Sequence, residues 1–298
     1  MAISIREKYS DMLKSLANLS VAAAKIDETN VYQKENPETR KFMDALVAEN
    51  MAEGSRLEGK ENFRAFLEAV KGGKHGLILM EHYSNTDLPA LCYLLEHDLG
   101  DEGKDLSKRI VAIAGMKLNE ANPLVRAFAE SFTRVVIYPT RSLTKAEEKA
   151  QSEEEKIEEE KRARTINLAA MRAMDKCKRD GEVILVFPSG TRYRPGHPET
   201  KRGLREIDSY LRMFDVMILV TINGSALTID MSNPDDMLAD FIEPAVQIFA
   251  SSPVIECKQF RKDYLATLPA DEADPKQKVI DHIMEIFDEQ HERIEKLR

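Results

Sequence analysis

The chain lacks tryptophan and has only three cysteines. Cys92, Cys177 and Cys257 are odd in number and far apart, so no close-spaced zinc or redox motif can be built from them. Reduced, structural thiols of a cytosolic protein are the expectation. An excess of basic charge is also missing: 43 Lys and Arg face 52 Asp and Glu, a formal net charge of -9. Broad nucleic-acid binding needs a basic footprint and is therefore not expected. A local basic pocket for a small anion is still allowed. No apolar run approaches the roughly 20 residues that span a bilayer. The opening "MAISIREKYSDMLKSLANLS" carries both charge signs and no long apolar core, unlike a signal or transit peptide. The expected location is cytoplasmic. A peripheral role at a membrane surface stays open, with no anchor to hold it.

What is there has two textures. At 298 residues the chain can hold one large domain, or one domain with a smaller companion. Residues 3–26 have an amphipathic helical period on Ile5, Met12, Leu16, Leu19 and Ala23. A second helix is predicted from near Pro37, whose fixed φ and missing N–H suit a first turn, with Phe42, Met43 and Leu46 apolar. A third covers about 59–71, with Phe63, Phe66, Leu67 and Val70 on one side, stopped by Gly72-Gly73. A helical domain over residues 1–72 is predicted. Short apolar runs then alternate with helical stretches. The runs are 76–80, 110–114, 135–138, 183–187 and 216–222. Helices are predicted at 88–99, 123–132, 143–180 and from 275 to the end. This alternation predicts an α/β domain over 73–298, its mixed, largely parallel sheet flanked by helices and its strands buried on both faces. "KAEEKAQSEEEKIEEEKRAR" reads as a solvated helix with mixed signs at four-residue spacing. Its continuation is predicted to dock on the sheet through Ile166, Leu168, Met171 and Met174. The last helix turns Val279, Ile283, Ile286 and Phe287 inward.

Chemistry-bearing residues collect where predicted strands end. In open α/β sheets that is where ligands gather. "EHYSNTDLP" places His82 just past the run 76–80 and Asp87 at a helix start. A carboxylate on one imidazole nitrogen fixes the tautomer and raises the basicity of the other, which suits a general base. A helix-capping aspartate that never meets the histidine is the plainer reading, and on pattern alone it is preferred. "VFPSGTRYRPG" follows the run 183–187. Ser189-Gly190 suggests a tight turn with exposed N–H groups. Arg192 and Arg194 alternate with Tyr193, so an extended segment aims both guanidinium groups one way, a suitable grip for phosphate. Solvated surface arginines explain the same pattern equally well. Arg141, in "VVIYPTRS", follows a third strand. In a parallel sheet, Arg141, Arg192 and His82 leave the same edge, which raises all three.

Other motifs fail. Ser189 is outside a G-x-S-x-G elbow, since Phe187 holds the first glycine's place. "GGKHG" precedes a strand, and "QHERIE" lacks a second histidine for zinc. His75, His97, His197, His282 and His291 are expected to be structural or exposed.

The ordered pair of blocks, H-x4-D and then "FPSGTR" about a hundred residues later, resembles the glycerolipid acyltransferase superfamily. The resemblance runs over about 74–230. It implies that His82 and Asp87 are catalytic. Phe187, Pro188, Gly190, Thr191 and Arg192 match the superfamily's F-P-E-G-T-R, with Ser189 in place of glutamate. Pro188-Ser189-Gly190 with Arg192 and Arg194 is similar to the soluble glycerol-3-phosphate 1-O-acyltransferases of plastid and chlamydial type. Arg141 falls where that branch has a basic phosphate ligand, and Ser142 where it has a histidine. The branch also carries a small helical N-terminal domain. The implied reaction moves an acyl group from acyl carrier protein or coenzyme A thioester to the 1-hydroxyl of glycerol 3-phosphate, with no bound cofactor and no metal. Arg141, Arg192 and Arg194 are implied to hold the phosphate. Backbone N–H groups near Ser189 and Gly190 are offered as an oxyanion site, and an apolar groove as the acyl-chain site. Two alternatives stand beside this: acylation of a lysophospholipid, and a non-catalytic module that binds anionic lipid or a carrier protein.

Overall fold

The run Gly76–Met80 is buried at all five positions. An uninterrupted apolar strand is what a sheet covered on both faces requires. The computed structural model describes residues 3–120, 122–150 and 152–298. It divides into two compact units. The first holds the residues up to Lys8, Asp44–Ile110 and Gly181–Arg298; the second holds Tyr9–Met43 and Val111–Asp180.

In the first unit Gly76–Met80 lies between Val183–Val186 and Val216–Asn223 and runs parallel to both. Val216–Asn223 continues outward to Ile248–Ser251, antiparallel, and that strand pairs in parallel with Arg56–Glu58. Helix Lys60–Lys71 buries Phe63, Phe66, Leu67 and Val70, the face its periodicity predicts. The C-terminal helix Pro275–Glu295 buries Val279, Ile283 and Phe287, together with Ile280 and Ile294. In the second unit Ile110–Gly115 pairs in parallel with Arg134–Ile137, which takes Tyr32–Gln33 antiparallel on its other side. Its core gathers Ile26, Val31, Met116, Val136, Tyr138, Ala163 and Ile166. The architecture is thus α/β, with mixed, largely parallel strand pairing flanked by helices. No helix among the described residues is long and apolar enough to cross a membrane.

Several expectations need correction. Residues 3–26 do not form one helix: Ile3–Ser4 is a strand, and helices Ile5–Lys8 and Ser10–Leu19 follow. The first 72 residues are not all helical. Three short strands, Ile3–Ser4, Tyr32–Gln33 and Arg56–Glu58, tie them to later parts of the chain. Each unit draws residues from both sides of position 72. The predicted helix 143–180 is two, Thr140–Lys149 and Glu153–Arg179. Ala150 is extended, and the Ser152 hydroxyl accepts from Glu155 N at 3.2 Å, a cap that restarts the chain as a helix. Gln151, inside that predicted helix, lies outside the described residues. Ile166 and Met174 are buried as expected, whereas Leu168 and Met171 are 48% and 49% exposed. A helix with this much charge presents one apolar stripe, and those two residues lie off it.

Helix Asp101–Arg109 was not predicted, because it is strongly polar. It packs back on Asp87–Leu99 through Gly103. A Cβ at Gly103 would stand 1.7 Å from the Leu95 carbonyl oxygen. Gly103→Ala must push the two helix backbones apart, and overpacking of this kind costs about 1–3 kcal/mol or more. The urea midpoint should fall at unchanged m-value. An unchanged midpoint would mean that the helix pair separates freely.

Candidate functional site

His82 is the second residue beyond strand Gly76–Met80. Asp87 is the first residue of helix Asp87–Leu99. The four residues between them make a tight turn whose donors converge on the aspartate. Asp87 Oδ2 accepts from Tyr83 N at 2.7 Å and Ser84 N at 2.9 Å, and Oδ1 accepts from Ser84 Oγ at 2.7 Å. The remaining partner is His82: Nδ1 lies 2.9 Å from Asp87 Oδ2. Asp87 is 2% exposed and His82 17%. The carboxylate can only accept, so Nδ1 carries the hydrogen, and in the neutral ring Nε2 is the nitrogen left to accept a proton. The half-buried ring remains within reach of a substrate. The helix-capping alternative is excluded, because the two side chains do meet.

The second motif packs on the first. Phe187 stacks on the His82 ring at 3.9 Å between centroids and 17° between planes. Tyr193 N donates to His82 O at 2.8 Å. These contacts follow from parallel pairing: Gly76–Met80 and Val183–Val186 run side by side, so both deliver their following residues to one edge. Gly190 has φ +62°, which lets the chain turn, and a Cβ there would meet Leu204 Cδ1 at 2.5 Å. Gly190 N donates to Phe187 O at 2.9 Å, and Ser189 Oγ donates to Thr191 O at 2.7 Å. The Gly190 N–H offered to an oxyanion is therefore already spent on closing the turn. The segment is a turn rather than an extended strand, although its two arginines do reach one region.

That region is the loop 234–240. Arg192 forms an ion pair with Asp240 and donates to Pro234 O at 3.2 Å. Asp240 is fully buried and Arg192 nearly so. Burial pushes the Asp240 carboxyl above the usual carboxylate range, and the adjacent guanidinium opposes that shift. Arg194 pairs with Asp235 at 2.8 Å, where the aspartate is 88% exposed. Arg141 is exposed at the second residue of helix Thr140–Lys149, in the other unit. Among the described residues no group of three or more His, Cys, Asp and Glu side chains is placed to hold a metal ion.

One part of the neighbourhood was missed in the sequence. Glu81, beside His82, is buried, and its Oε2 accepts from Ile222 N at 2.8 Å and faces His291 Nδ1 at 3.0 Å. Tyr83 donates its hydroxyl to Glu81 Oε1 at 3.0 Å. Burial, then the Glu81 charge, push the Tyr83 hydroxyl far above its ordinary pKa, so it stays a donor. His291 was expected to be structural or exposed. The available signal was its spacing: it lies four residues after Phe287 and three before Ile294, both buried, on the inward face of Pro275–Glu295.

The search of curated proteins returned no match. A family model described as acyltransferase matches residues 54–219. That span contains the whole His82–Asp87 turn, the stacked Phe187 and both arginines. It covers more than half of the 298 residues, and the chain belongs to the acyltransferase family.

Proposed function

We propose that the protein transfers a fatty acyl group from a thioester to the 1-hydroxyl of glycerol 3-phosphate, the first acylation of glycerophospholipid synthesis. The observation that carries the reading is the 2.9 Å contact between His82 Nδ1 and Asp87 Oδ2, held at a parallel strand end in a chain of this family. His82 Nε2 removes the proton of the acceptor hydroxyl, and the oxygen attacks the thioester carbonyl. The tetrahedral intermediate then expels the thiolate, which takes the proton back from the imidazolium. Asp87 orients the imidazole and stabilises its charged form. The nucleophile is the acceptor itself, so no residue of the chain is acylated.

The acceptor's phosphate is assigned to Arg194 and to the N–H donors of Arg192 beyond those on Asp240 and Pro234. Arg194 exchanges an exposed aspartate for the phosphate, and surface pairs of that kind are worth only about 0–1 kcal/mol. Arg192 stays tied to Asp240 and keeps the loop in place. The donor is the thioester of acyl carrier protein or coenzyme A, and the work is done in the cytoplasm or at a membrane surface.

The test offers glycerol 3-phosphate and a lysophosphatidate separately, each with acyl-coenzyme A or acyl-carrier-protein. Products are identified by mass spectrometry. 1-Acylglycerol 3-phosphate is expected. Acylation of the lysophosphatidate alone would move the assignment to a lysophospholipid acyltransferase. Absence of any acylated product would favour a non-catalytic binding module.

A further inference from the structure

Glu81 carries a buried carboxylate one residue before the proposed base. A buried charge is tolerated only with full hydrogen bonding. Three donors provide it: Ile222 N at 2.8 Å, His291 Nδ1 at 3.0 Å and the Tyr83 hydroxyl at 3.0 Å. The first explains why the strand ends where it does. Pairing of Gly76–Met80 with Val216–Asn223 runs to Met80 opposite Val220, and Glu81 N still reaches Val220 O at 3.1 Å. Beyond that the chain leaves the sheet. The Ile222 N–H is then met by the Glu81 side chain instead of another main-chain carbonyl. The strand can stop and His82 can turn away without leaving the Ile222 N–H unpaired.

The other two donors fix this arrangement from both sides. His291 belongs to the C-terminal helix Pro275–Glu295, more than two hundred residues along the chain. Tyr83 is the residue just after His82, and its main-chain N–H holds Asp87 Oδ2 at 2.7 Å. Glu81 and Tyr83 thus flank His82, and His291 closes on Glu81. The same helix also holds the second motif. Asp288 binds Lys201 Nζ at 2.6 Å, Lys201 lies 6.0 Å over the Tyr193 ring, and Tyr193 N holds His82 O.

We infer that Glu81 and His291 are positioning residues, a second histidine–carboxylate pair that sets the orientation of the His82–Asp87 pair. The inference rests on His82 being the general base. It makes the C-terminal helix part of the working site, although that helix lies outside the matched span 54–219.

The test compares His291→Leu with His291→Asn. An asparagine amide nitrogen occupies roughly the place of imidazole Nδ1 and can donate to Glu81; leucine cannot. Acyl transfer should show kcat about tenfold lower for His291→Leu with KM for the acceptor kept, and near-parent kcat for His291→Asn. Long-range proton–nitrogen NMR of the imidazole rings gives a readout that needs no substrate. The parent and His291→Asn should show His82 as the Nδ1–H tautomer, and His291→Leu a mixture. Tyr83→Phe removes a different donor to Glu81 and should also lower kcat with KM kept, so the inference stays testable if His291→Leu does not fold. An unchanged His82 tautomer in folded His291→Leu, or equal losses in the leucine and asparagine variants, would overturn it. If the tautomer shifts as expected but the parent acylates no acceptor, the acyl-transfer reading falls, and what stands is that Glu81 and His291 orient the His82 ring.

Discussion

His82→Ala should lower acyl transfer by about a thousandfold while leaving the fold intact. General-base catalysis contributes roughly 10²–10⁴-fold, and the neighbouring carboxylate of Glu81 is already met by Ile222 N, His291 Nδ1 and the Tyr83 hydroxyl. The fold should survive because the imidazole's contacts are few. It stacks on Phe187 and bonds to Asp87, while the turn is kept by Tyr83 N, Ser84 N and Ser84 Oγ on the same carboxylate. KM for the acceptor should change little, since the phosphate is assigned to other residues. Asp87→Asn should lose much of the same factor, because an amide presents mixed donors and acceptors to a turn that supplies only donors. Full activity in His82→Ala would remove the general base from the account.

The second large effect is on stability. Arg192→Ala should cost about 3–5 kcal/mol, because it strands the Asp240 carboxylate in the interior. Most of the loss should be relieved by adding Asp240→Asn, which removes the orphaned charge. The pH dependence has a definite sign. The Asp240 carboxyl already lies above the usual carboxylate range because burial outweighs Arg192. Without the guanidinium it rises further. The folded variant then holds a proton that the unfolded chain releases, so its stability increases as pH falls from neutral toward the unfolded carboxylate value of about 3.9. The deficit against the parent should therefore be largest at neutral pH and shrink on acidification. Denaturant titrations at several pH values measure it. A deficit that does not change with pH, or is not relieved by Asp240→Asn, would show that Asp240 is not held in the interior by Arg192.

These two residues also show what was legible in the sequence. Gly76–Met80 and Val183–Val186 could be read because an apolar run between turn residues has few alternatives to a buried strand. Parallel pairing then predicted the shared edge, and the stacking of Phe187 on His82 is its direct result. The short strands were not legible. Two or three residues such as Tyr32–Gln33 show no alternation, and they are strands only because a partner lies beside them. The partners of the charged groups were hidden for the same reason. Asp240 is 48 residues from Arg192, and His291 is 210 from Glu81. Only folding brings such groups together. Glu81 itself carried a usable signal, an acidic residue directly continuing a wholly apolar run.

The central claim is direct transfer from a thioester to an acceptor hydroxyl, driven by His82. It is tested by counting thiol released from acyl-coenzyme A or acyl-carrier-protein with and without glycerol 3-phosphate. Release is expected only when the acceptor is present, one thiol for each acylated acceptor, with almost none in His82→Ala. Release at the same rate without the acceptor would contradict it and make the protein a thioesterase.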